Sequence, residues 1–304
     1  MLGTFLADRG ILAESVGDKA KTLTAQVQNA LRKNTPPPEP EVPKVDPIGP
    51  VGELQAHAVI AYDISNDVVL YEKNSNDKLP LASITKLMTA LITAEHTRSD
   101  DLISISRDSL NEYGDSSLFA GEQWKAQDIL DFMLMTSSND AASALSKHVG
   151  SIHVKENEDP RAIFIDMMNQ RADGLSLNNT QFIDETGLDA NATTPGAYGS
   201  AHDVALLLSH IAKKRPALIE ATIKPFATFT SVTGVTHAAR NTNEAIPSIP
   251  ALIGGKTGFT DLAGGNLAII FDRSINEPVA VVVLGSTKEA RFVDVQEIVR
   301  ALQK

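Results

Sequence analysis

The sequence predicts an α+β protein in which one mainly antiparallel sheet is flanked by helices and carries an inserted all-helical subdomain. Strand-like segments occur early, at 58–63 and 68–72, and again late, between residues 251 and 284. Apolar residues at helical spacing fill most of the chain between them. Strands at both ends of a domain with a helical middle are typical of a mixed domain whose terminal segments share one sheet. We therefore expect the early and late strands to pair.

The 304 residues divide into three predicted segments. Residues 1–33 carry an apolar stripe at spacings of three and four, which predicts a helical stalk or, alternatively, a partly ordered tail. The stripe consists of Leu12, Val16, Ala20, Leu23, Val27 and Leu31. Residues 34–56 are rich in proline and predict an extended linker. Residues 57–304 are expected to form the compact domain that carries the function.

Within that domain the first elements follow from local pattern. The two early strands form a hairpin around Ser65-Asn66-Asp67 and lead into an apolar helix that starts near Ser83. A proline opens a later helix at residue 160. The other predicted elements are helices 127–135, 141–148, 160–171, 201–213 and 292–302, a strand near 102–106, a strand running into a glycine turn at 182–189, and strands 226–232, 251–257, 266–271 and 279–284.

Composition excludes several classes of function. The net charge is −11, and phosphate binding requires clustered lysine and arginine, so we expect no nucleic-acid partner. The chain has no cysteine and no His-x-x-x-His pair, so we expect neither a metal nor a cofactor. No apolar run is as long as a membrane span, and residues 1–10 lack the pattern of a signal peptide. No export signal is visible in this sequence.

The first candidate site lies in Leu81–Ala90. Ser83 and Lys86 are three residues apart, so their side chains share one face of a helix, one turn apart. A serine hydroxyl needs a base to become a nucleophile, and a desolvated lysine has a lowered pKa that suits this role. The same spacing recurs in a polar turn at Ser75 and Lys78. Spacing alone is therefore compatible with a nucleophile and its base and equally with a plain helix cap.

The second candidate is a polar break, Thr136–Asp140, between two apolar helices. Buried polar groups are costly unless they find partners, so we expect this break to face a cavity and to present Ser137 and Asn139 there. The pattern serine, any residue, asparagine also occurs at 176–178 and 274–276. It therefore carries little weight by itself.

The third candidate is the glycine-flanked pair Lys256 and Thr257 in Gly254–Gly258. An ammonium and a hydroxyl on a strand, next to a glycine that admits a ligand to the backbone, suit a carboxylate. The end of a phosphate-binding loop has a similar sequence. However, Pro250 stands where that motif requires its first glycine, and strand-like sequence follows where a helix should begin. We favour a carboxylate.

Taken in order, the three clusters resemble the active site of the penicillin-recognising serine enzymes. From about His57 onward the chain is similar to the low-molecular-mass penicillin-binding proteins, the D-alanyl-D-alanine carboxypeptidase family and its endopeptidase relatives. The matching stretches are Leu81–Ala90, Met133–Ala142, Phe182–Asp189, Ser200–Ala205, Arg240–Asn243 and Gly255–Thr260. The resemblance implies a β-lactamase/DD-peptidase-like fold, peptidoglycan stem peptides ending in D-alanyl-D-alanine as substrates, and β-lactams as covalent inhibitors.

The resemblance also implies roles for single residues. Ser83 would attack the carbonyl of the penultimate D-alanine, Lys86 would take its proton, Ser137 would relay a proton to the leaving amine and Asn139 would bind the substrate amide. The implied substrate-binding residues are Lys256 and Thr257 for the terminal carboxylate, Gly258 and Phe259 beside them, and Arg240 and Arg291 near the same pocket. The backbone N–H groups of Ser83 and Phe259 would form the oxyanion hole. Arg291 at the start of the last helix is equally compatible with a solvated cap.

Rival functions differ from the pattern in specific ways. A class A β-lactamase shares the serine-lysine pair, but here no Asp lies between Ser137 and Asn139 and no Glu-x-x-Leu-Asn follows. An inactive wall-binding module is a further alternative. Every catalytic position named above is filled in this sequence, which such a module would not need. Among peptidases we favour a carboxypeptidase. The alternative is an endopeptidase that cuts D-alanyl cross-links, whose single-domain architecture the chain also fits.

The implied substrate predicts a location. Stem peptides occur in peptidoglycan, so we expect the enzyme in the bacterial periplasm or at the cell surface. The proline-rich segment then suggests a tether to a membrane anchor upstream of residue 1.

Overall fold

A computed structural model describes residues 48–114 and 117–303. The helix predicted at 1–33, and residues 34–47 of the predicted linker, lie outside the described residues. Residues 48–56, the end of that linker, pack against the last helix of the domain. The Gly49 N–H donates to the Ala301 carbonyl oxygen at 2.8 Å, and the N–H groups of Gln55 and Ala56 donate to the Asp294 carboxylate.

The central element is a five-stranded antiparallel sheet. Its strands lie in the order β10 (252–260), β11 (264–272), β12 (278–286), β1 (58–63) and β2 (68–73), which confirms that early and late strands pair. Three smaller sheets pair β3 with β7 and β7 with β6, β4 with β5, and β8 with β9. The strands are β1 (Ala58–Asp63), β2 (Val68–Lys73), β3 (Leu79–Pro80), β4 (Leu102–Ser104), β5 (Gln123–Lys125), β6 (Gln181–Phe182), β7 (Ala197–Gly199), β8 (Phe226–Thr230), β9 (Thr236–Arg240), β10 (Leu252–Thr260), β11 (Gly264–Asp272) and β12 (Pro278–Ser286).

Both faces of the main sheet are covered, so its inner strands are almost continuously apolar. Alternate residues of one strand enter different cores. Ile60 and Val282 belong to the core shared with the helical subdomain. Val59 and Val281 belong to a second core on the opposite face, against the last helix.

The helical subdomain is inserted between β2 and β10, on one side of the sheet. The helices are α1 (Lys86–His96), α2 (Ala126–Thr136), α3 (Asn139–His153), α4 (Pro160–Gly174), α5 (Ala201–Lys214), α6 (Ala217–Glu220) and α7 (Ala290–Leu302), with short 3₁₀ turns at Ala82–Thr85, Asp108–Asn111, Ala221–Ile223 and Ile246–Ser248. Residues 86–93 of α1 are all buried, which makes it the central helix of the block. None of the described helices is both long and apolar enough to cross a membrane.

Three local predictions differ from the structure. The strand predicted at 226–232 does not join the main sheet. It ends at Thr230 and pairs with β9, which was not predicted, because this half-exposed hairpin packs through Phe229 against Phe132 of α2. Of the strand running into a glycine turn predicted at 182–189, the turn is present but the strand ends already at Phe182, because the side chain of Asp184 binds the N–H groups of Thr186 and Gly187. The second helix after the polar break starts earlier and ends later than predicted, at Asn139 and His153.

Candidate active site

Ser83 lies in the 3₁₀ turn that precedes α1, and this turn is held from outside. The Leu81 N–H donates to the Ala197 carbonyl oxygen at 3.0 Å. Asn266 on β11 donates from Nδ2 to the carbonyl oxygens of Pro80 and Leu81, both at 3.0 Å. Ala82 adopts φ +48°, a strained value for a residue with a side chain. The turn is therefore fixed by contacts from two distant strands rather than by its own helical propensity.

Lys86, the first residue of α1, is fully buried and makes three hydrogen bonds. Its Nζ donates to Ser83 Oγ at 3.0 Å, to Asn139 Oδ1 at 2.6 Å and to the Thr186 carbonyl oxygen at 2.7 Å. Burial lowers the pKa of Lys86 from 10.5 to about 7, although three nearby carboxylates act in the opposite direction. A neutral amine beside the serine hydroxyl is therefore well populated near neutral pH, as a general base requires.

Ser137 and Asn139 occupy the break between α2 and α3, as predicted. Ser137 has left-handed backbone geometry, φ 61° and ψ 32°, which is uncommon for residues other than glycine and often marks functional sites. Asn139 bridges the site: Oδ1 accepts from Lys86, and Nδ2 donates to the Tyr113 carbonyl oxygen at 2.6 Å. Tyr113 lines a cleft of about 490 Å³ together with Asp184 and other residues. Asn139 is linked to this cleft through Tyr113, but none of residues 136–140 lines it, so the expectation that the polar break faces a cavity stays a prediction.

Lys256 lies on β10, the edge strand of the main sheet, and is also buried. Its Nζ donates to Ser137 Oγ at 2.9 Å and to the Thr257 carbonyl oxygen at 2.9 Å. Burial lowers the pKa of Lys256 well below 10.5, and the nearby charges of Lys86 and Arg291 lower it further. The site therefore contains two serine-lysine pairs, and in both the lysine is poorly solvated.

The rest of the β10 cluster lies close to the Ser83 turn. Thr257 shares a hydrogen bond of 2.6 Å with Thr242, whose N–H donates to the carbonyl oxygen of Met135 near the end of α2. A Cβ added at Gly258 would come within 2.9 Å of the Leu81 carbonyl oxygen, so only glycine allows this approach. Phe259 is 43% exposed at the end of the strand.

The two arginines take different positions. Arg291 is 6% exposed, and its Nη1 donates to the Gly258 carbonyl oxygen at 2.6 Å, so it is a buried support for β10 and not a solvated cap. Arg240 ends β9 and is exposed, two residues before Thr242. Direct contact of either arginine with substrate stays a prediction.

Two contributors to the site were not predicted. The Thr186 carbonyl oxygen is one of the three acceptors for Lys86, and the Asn266 side chain holds the nucleophile turn. Residues 182–189 did stand out as a matching stretch. However, every residue type has a backbone carbonyl oxygen, so the sequence does not reveal which one binds Lys86. Asn266 lies in an otherwise apolar strand, and a buried amide in that setting was the available signal.

Ser83 bonded to the buried Lys86, and Ser137 bonded to Lys256 of the edge strand, form the arrangement expected of serine enzymes that use lysine as the base. The sequence profile of the D-alanyl-D-alanine carboxypeptidase family matches residues 44–288. The chain belongs to this family.

Relatives agree with that assignment. The chain is 31% identical over 258 residues to a D-alanyl-D-alanine carboxypeptidase of Bacillus subtilis, covering 81% of this chain and 62% of the relative, so it spans less than two thirds of that protein. It is 30% identical over 256 residues to the D-alanyl-D-alanine endopeptidase of Escherichia coli, covering 81% of this chain and 76% of that one.

Solved structures show the same fold. Penicillin-binding protein D2 of Listeria monocytogenes, in its cefotaxime-bound form, superposes with a TM-score of 0.71 at 30% identity, over 84% of this chain and 100% of the other. The predicted α+β fold with an inserted helical subdomain is confirmed.

Proposed function

We propose that the protein is a serine D-alanyl-D-alanine carboxypeptidase that removes the terminal D-alanine of peptidoglycan stem peptides. The observation that carries this proposal is the position of Lys86 Nζ, 3.0 Å from Ser83 Oγ, with a pKa of about 7. That geometry provides a nucleophile with its base already in hydrogen-bond contact.

In the proposed first step, neutral Lys86 takes the proton of Ser83 Oγ as that oxygen attacks the carbonyl carbon of the penultimate D-alanine. The peptide C–N bond breaks, an ester forms on Ser83, and the leaving amine of the terminal D-alanine receives a proton through Ser137. Water then hydrolyses the ester and restores the serine hydroxyl. Asn139 is well placed to bind the substrate amide, since its side chain already lies beside Lys86.

Lys256 is proposed to hold the terminal carboxylate together with Thr257. Without substrate, burial and the nearby charges of Lys86 and Arg291 favour the neutral form of Lys256. An incoming carboxylate supplies the missing opposite charge and favours the ammonium form. Carboxylate binding would thus be coupled to protonation of Lys256, and this coupling would select substrates that end in a free carboxylate.

A second candidate is a D-alanyl-D-alanine endopeptidase, because relatives of nearly equal identity carry that name. Both activities would use the same acyl-enzyme chemistry and differ in the peptide that leaves. Incubation with a purified stem pentapeptide and with cross-linked dimers separates them. Release of D-alanine from the pentapeptide alone supports the carboxypeptidase, whereas cleavage of dimers alone contradicts it.

The shared chemistry is tested by labelling with a fluorescent penicillin. We expect the unmodified chain to be labelled covalently and Ser83→Ala not to be, because the acyl group has no acceptor without the hydroxyl. The polar turn offers a matched control: Ser75→Ala removes the serine of the other Ser-x-x-Lys sequence and should label normally. Absence of labelling in the unmodified chain, or labelling of Ser83→Ala, would contradict the proposal.

The family acts on the cell wall, and we propose that this protein works in the periplasm or at the cell surface and is held at a membrane through residues preceding the domain. The support is the substrate itself, together with the proline-rich composition of residues 34–50. Cell fractionation of the full-length product tests this proposal. Recovery in the cytoplasm alone would contradict it.

A further inference from the structure

The carbonyl oxygen that holds Lys86 belongs to a tight turn at Asp184–Gly187. Asp184 Oδ1 accepts the N–H groups of Thr186 at 2.8 Å and Gly187 at 2.6 Å. Thr89 of α1 donates from Oγ1 to the Glu185 carbonyl oxygen at 2.6 Å. The turn is therefore bound to the same helix that Lys86 begins, and its position sets the direction of the Lys86 side chain.

The side chain of Glu185 extends from this turn into the protein and is completely buried. Its Oε2 accepts from Arg161 Nε of α4 at 2.8 Å, while Oε1 has no hydrogen-bond partner among the described residues. Arg161 also lies 3.5 Å from Glu112. Burial raises the pKa of Glu185, and Arg161 opposes that rise.

Complete burial of the Glu185 carboxylate is an expensive way to stabilise a fold, because its desolvation offsets most of the Coulomb attraction to Arg161, whose side chain is 33% exposed. Apolar residues of similar size would pack α4 against the turn at least as well. What an apolar pair could not provide is negative charge behind Lys86. The pair therefore makes better sense as part of the site than as part of the core.

Resting on the proposed role of Lys86 as general base, we infer that Glu185 and Arg161 are positioning residues for that base. Their ion pair fixes the turn whose Thr186 carbonyl oxygen aims Lys86 at Ser83, and it keeps a carboxylate charge within electrostatic range of the ammonium form of the lysine. Neither residue touches the reacting atoms.

The charges around Lys86 set the expected sign of the effect. Asp184 and Glu185 on the turn, and Glu112 near it, each raise the pKa of Lys86 against the effect of burial. Lys256 on β10 carries a like charge only when it is protonated, and burial together with the charges of Lys86 and Arg291 lowers its own pKa well below 10.5. Removing the Glu185 charge should therefore lower the pKa of Lys86 further. The neutral, active amine would then persist to lower pH.

The test is the pH dependence of the second-order rate constant for acylation by a fluorescent penicillin, measured in the full chain from about pH 5 to about pH 9. Glu185→Gln should move the acidic limb of this pH–rate profile by about one pH unit to lower pH. A shift of this order is expected for the loss of a unit charge at an effective dielectric constant of about 20. Arg161→Gln should move it in the same direction by less, because Glu185 without its counter-charge takes up a proton. Glu185→Asp keeps the charge and should keep the limb in place.

The chain contains a control ion pair whose arginine lies on the same helix, α4. Glu95 of α1 and Arg171 of α4 form an ion pair of 2.6 Å near the other end of α1. Glu95→Gln should leave the acidic limb unmoved. Two results would overturn the inference. One is a lower maximal acylation rate in Glu185→Gln with no shift of the acidic limb of its pH–rate profile, which would show a merely structural role. The other is an equal shift of that limb in Glu95→Gln. Absence of Ser83-dependent labelling in the unmodified chain would instead contradict the proposed function.

Discussion

Replacement of Gly187 by alanine is predicted to damage the site through the backbone. Gly187 has φ +80°, and a Cβ there would overlap the Ala82 carbonyl oxygen and lie 2.5 Å from its carbonyl carbon and 2.6 Å from Thr85 Oγ1. Cβ atoms essentially never approach closer than 3.0 Å, so the turn and the nucleophile segment must separate by about 1 Å. Positive φ adds about 1 kcal/mol of strain. We expect the free energy of unfolding to fall by about 3 kcal/mol.

The larger effect is expected on function, because Thr186 precedes Gly187 and its carbonyl oxygen holds Lys86 at 2.7 Å. A misplacement of about 1 Å near reacting groups costs about 100-fold in rate. The assays are urea unfolding and the rate of penicillin acylation. Gly174→Ala is the matched control, since a Cβ there meets nothing within 4 Å, and it should be neutral or stabilising. A folded Gly187→Ala protein acylated at the unmodified rate would refute the reasoning.

Three further predictions follow from single contacts. Acylation of the unmodified chain should rise with pH through about 7 as Lys86 loses its proton, and a rate independent of pH between about 5 and 8 would contradict its role as base. Lys256→Met should lower the rate of acylation by about 100-fold, because Ser137 Oγ loses its hydrogen-bond donor and the substrate carboxylate loses its counter-charge. An unchanged acylation rate in stopped-flow measurements would contradict this. His237→Ala should lower the free energy of unfolding by about 3 kcal/mol, because the buried Glu122 carboxylate loses a hydrogen bond of 2.8 Å. Urea titration measures this change, and a change below about 1 kcal/mol would contradict the prediction.

Local patterns were enough to predict most elements and the groups that the structure brings together in the candidate site. Ser83 and Lys86 could be paired because helical spacing fixes which side chains share a face. Ser137 and Asn139 could be found because a polar break between apolar helices needs partners. That early and late strands share one sheet was predicted from their positions in the chain, whereas the pairing of β1 with β12 and its register followed only from the structure.

What could not be predicted depends on contacts between distant segments. Lys86 meets Asn139 and the Thr186 carbonyl oxygen, 53 and 100 residues away, and no local pattern specifies such distances. Arg291 lies in the first turn of a helix. At that position the sequence is equally compatible with a solvated helix cap and with a buried residue that supports a neighbouring strand. Only the burial of Arg291 and its hydrogen bond to the Gly258 carbonyl oxygen of β10 distinguish them. The strand at 226–232 was predicted without its partner β9, because the short stretch Thr236–Arg240 has no strong strand pattern of its own.

The order of strands in the main sheet has a consequence for biosynthesis. Ala58 of β1 pairs with Leu284 of β12, so one of the first segments of the domain to be translated finds its partner among the last. Every residue of β1 is buried in the finished fold. The turn that carries Ser83 likewise depends on Asn266, which is translated late. Ribosomes must therefore complete nearly the whole domain before its sheet can close, and until then the nascent chain carries an apolar strand that chaperones can recognise.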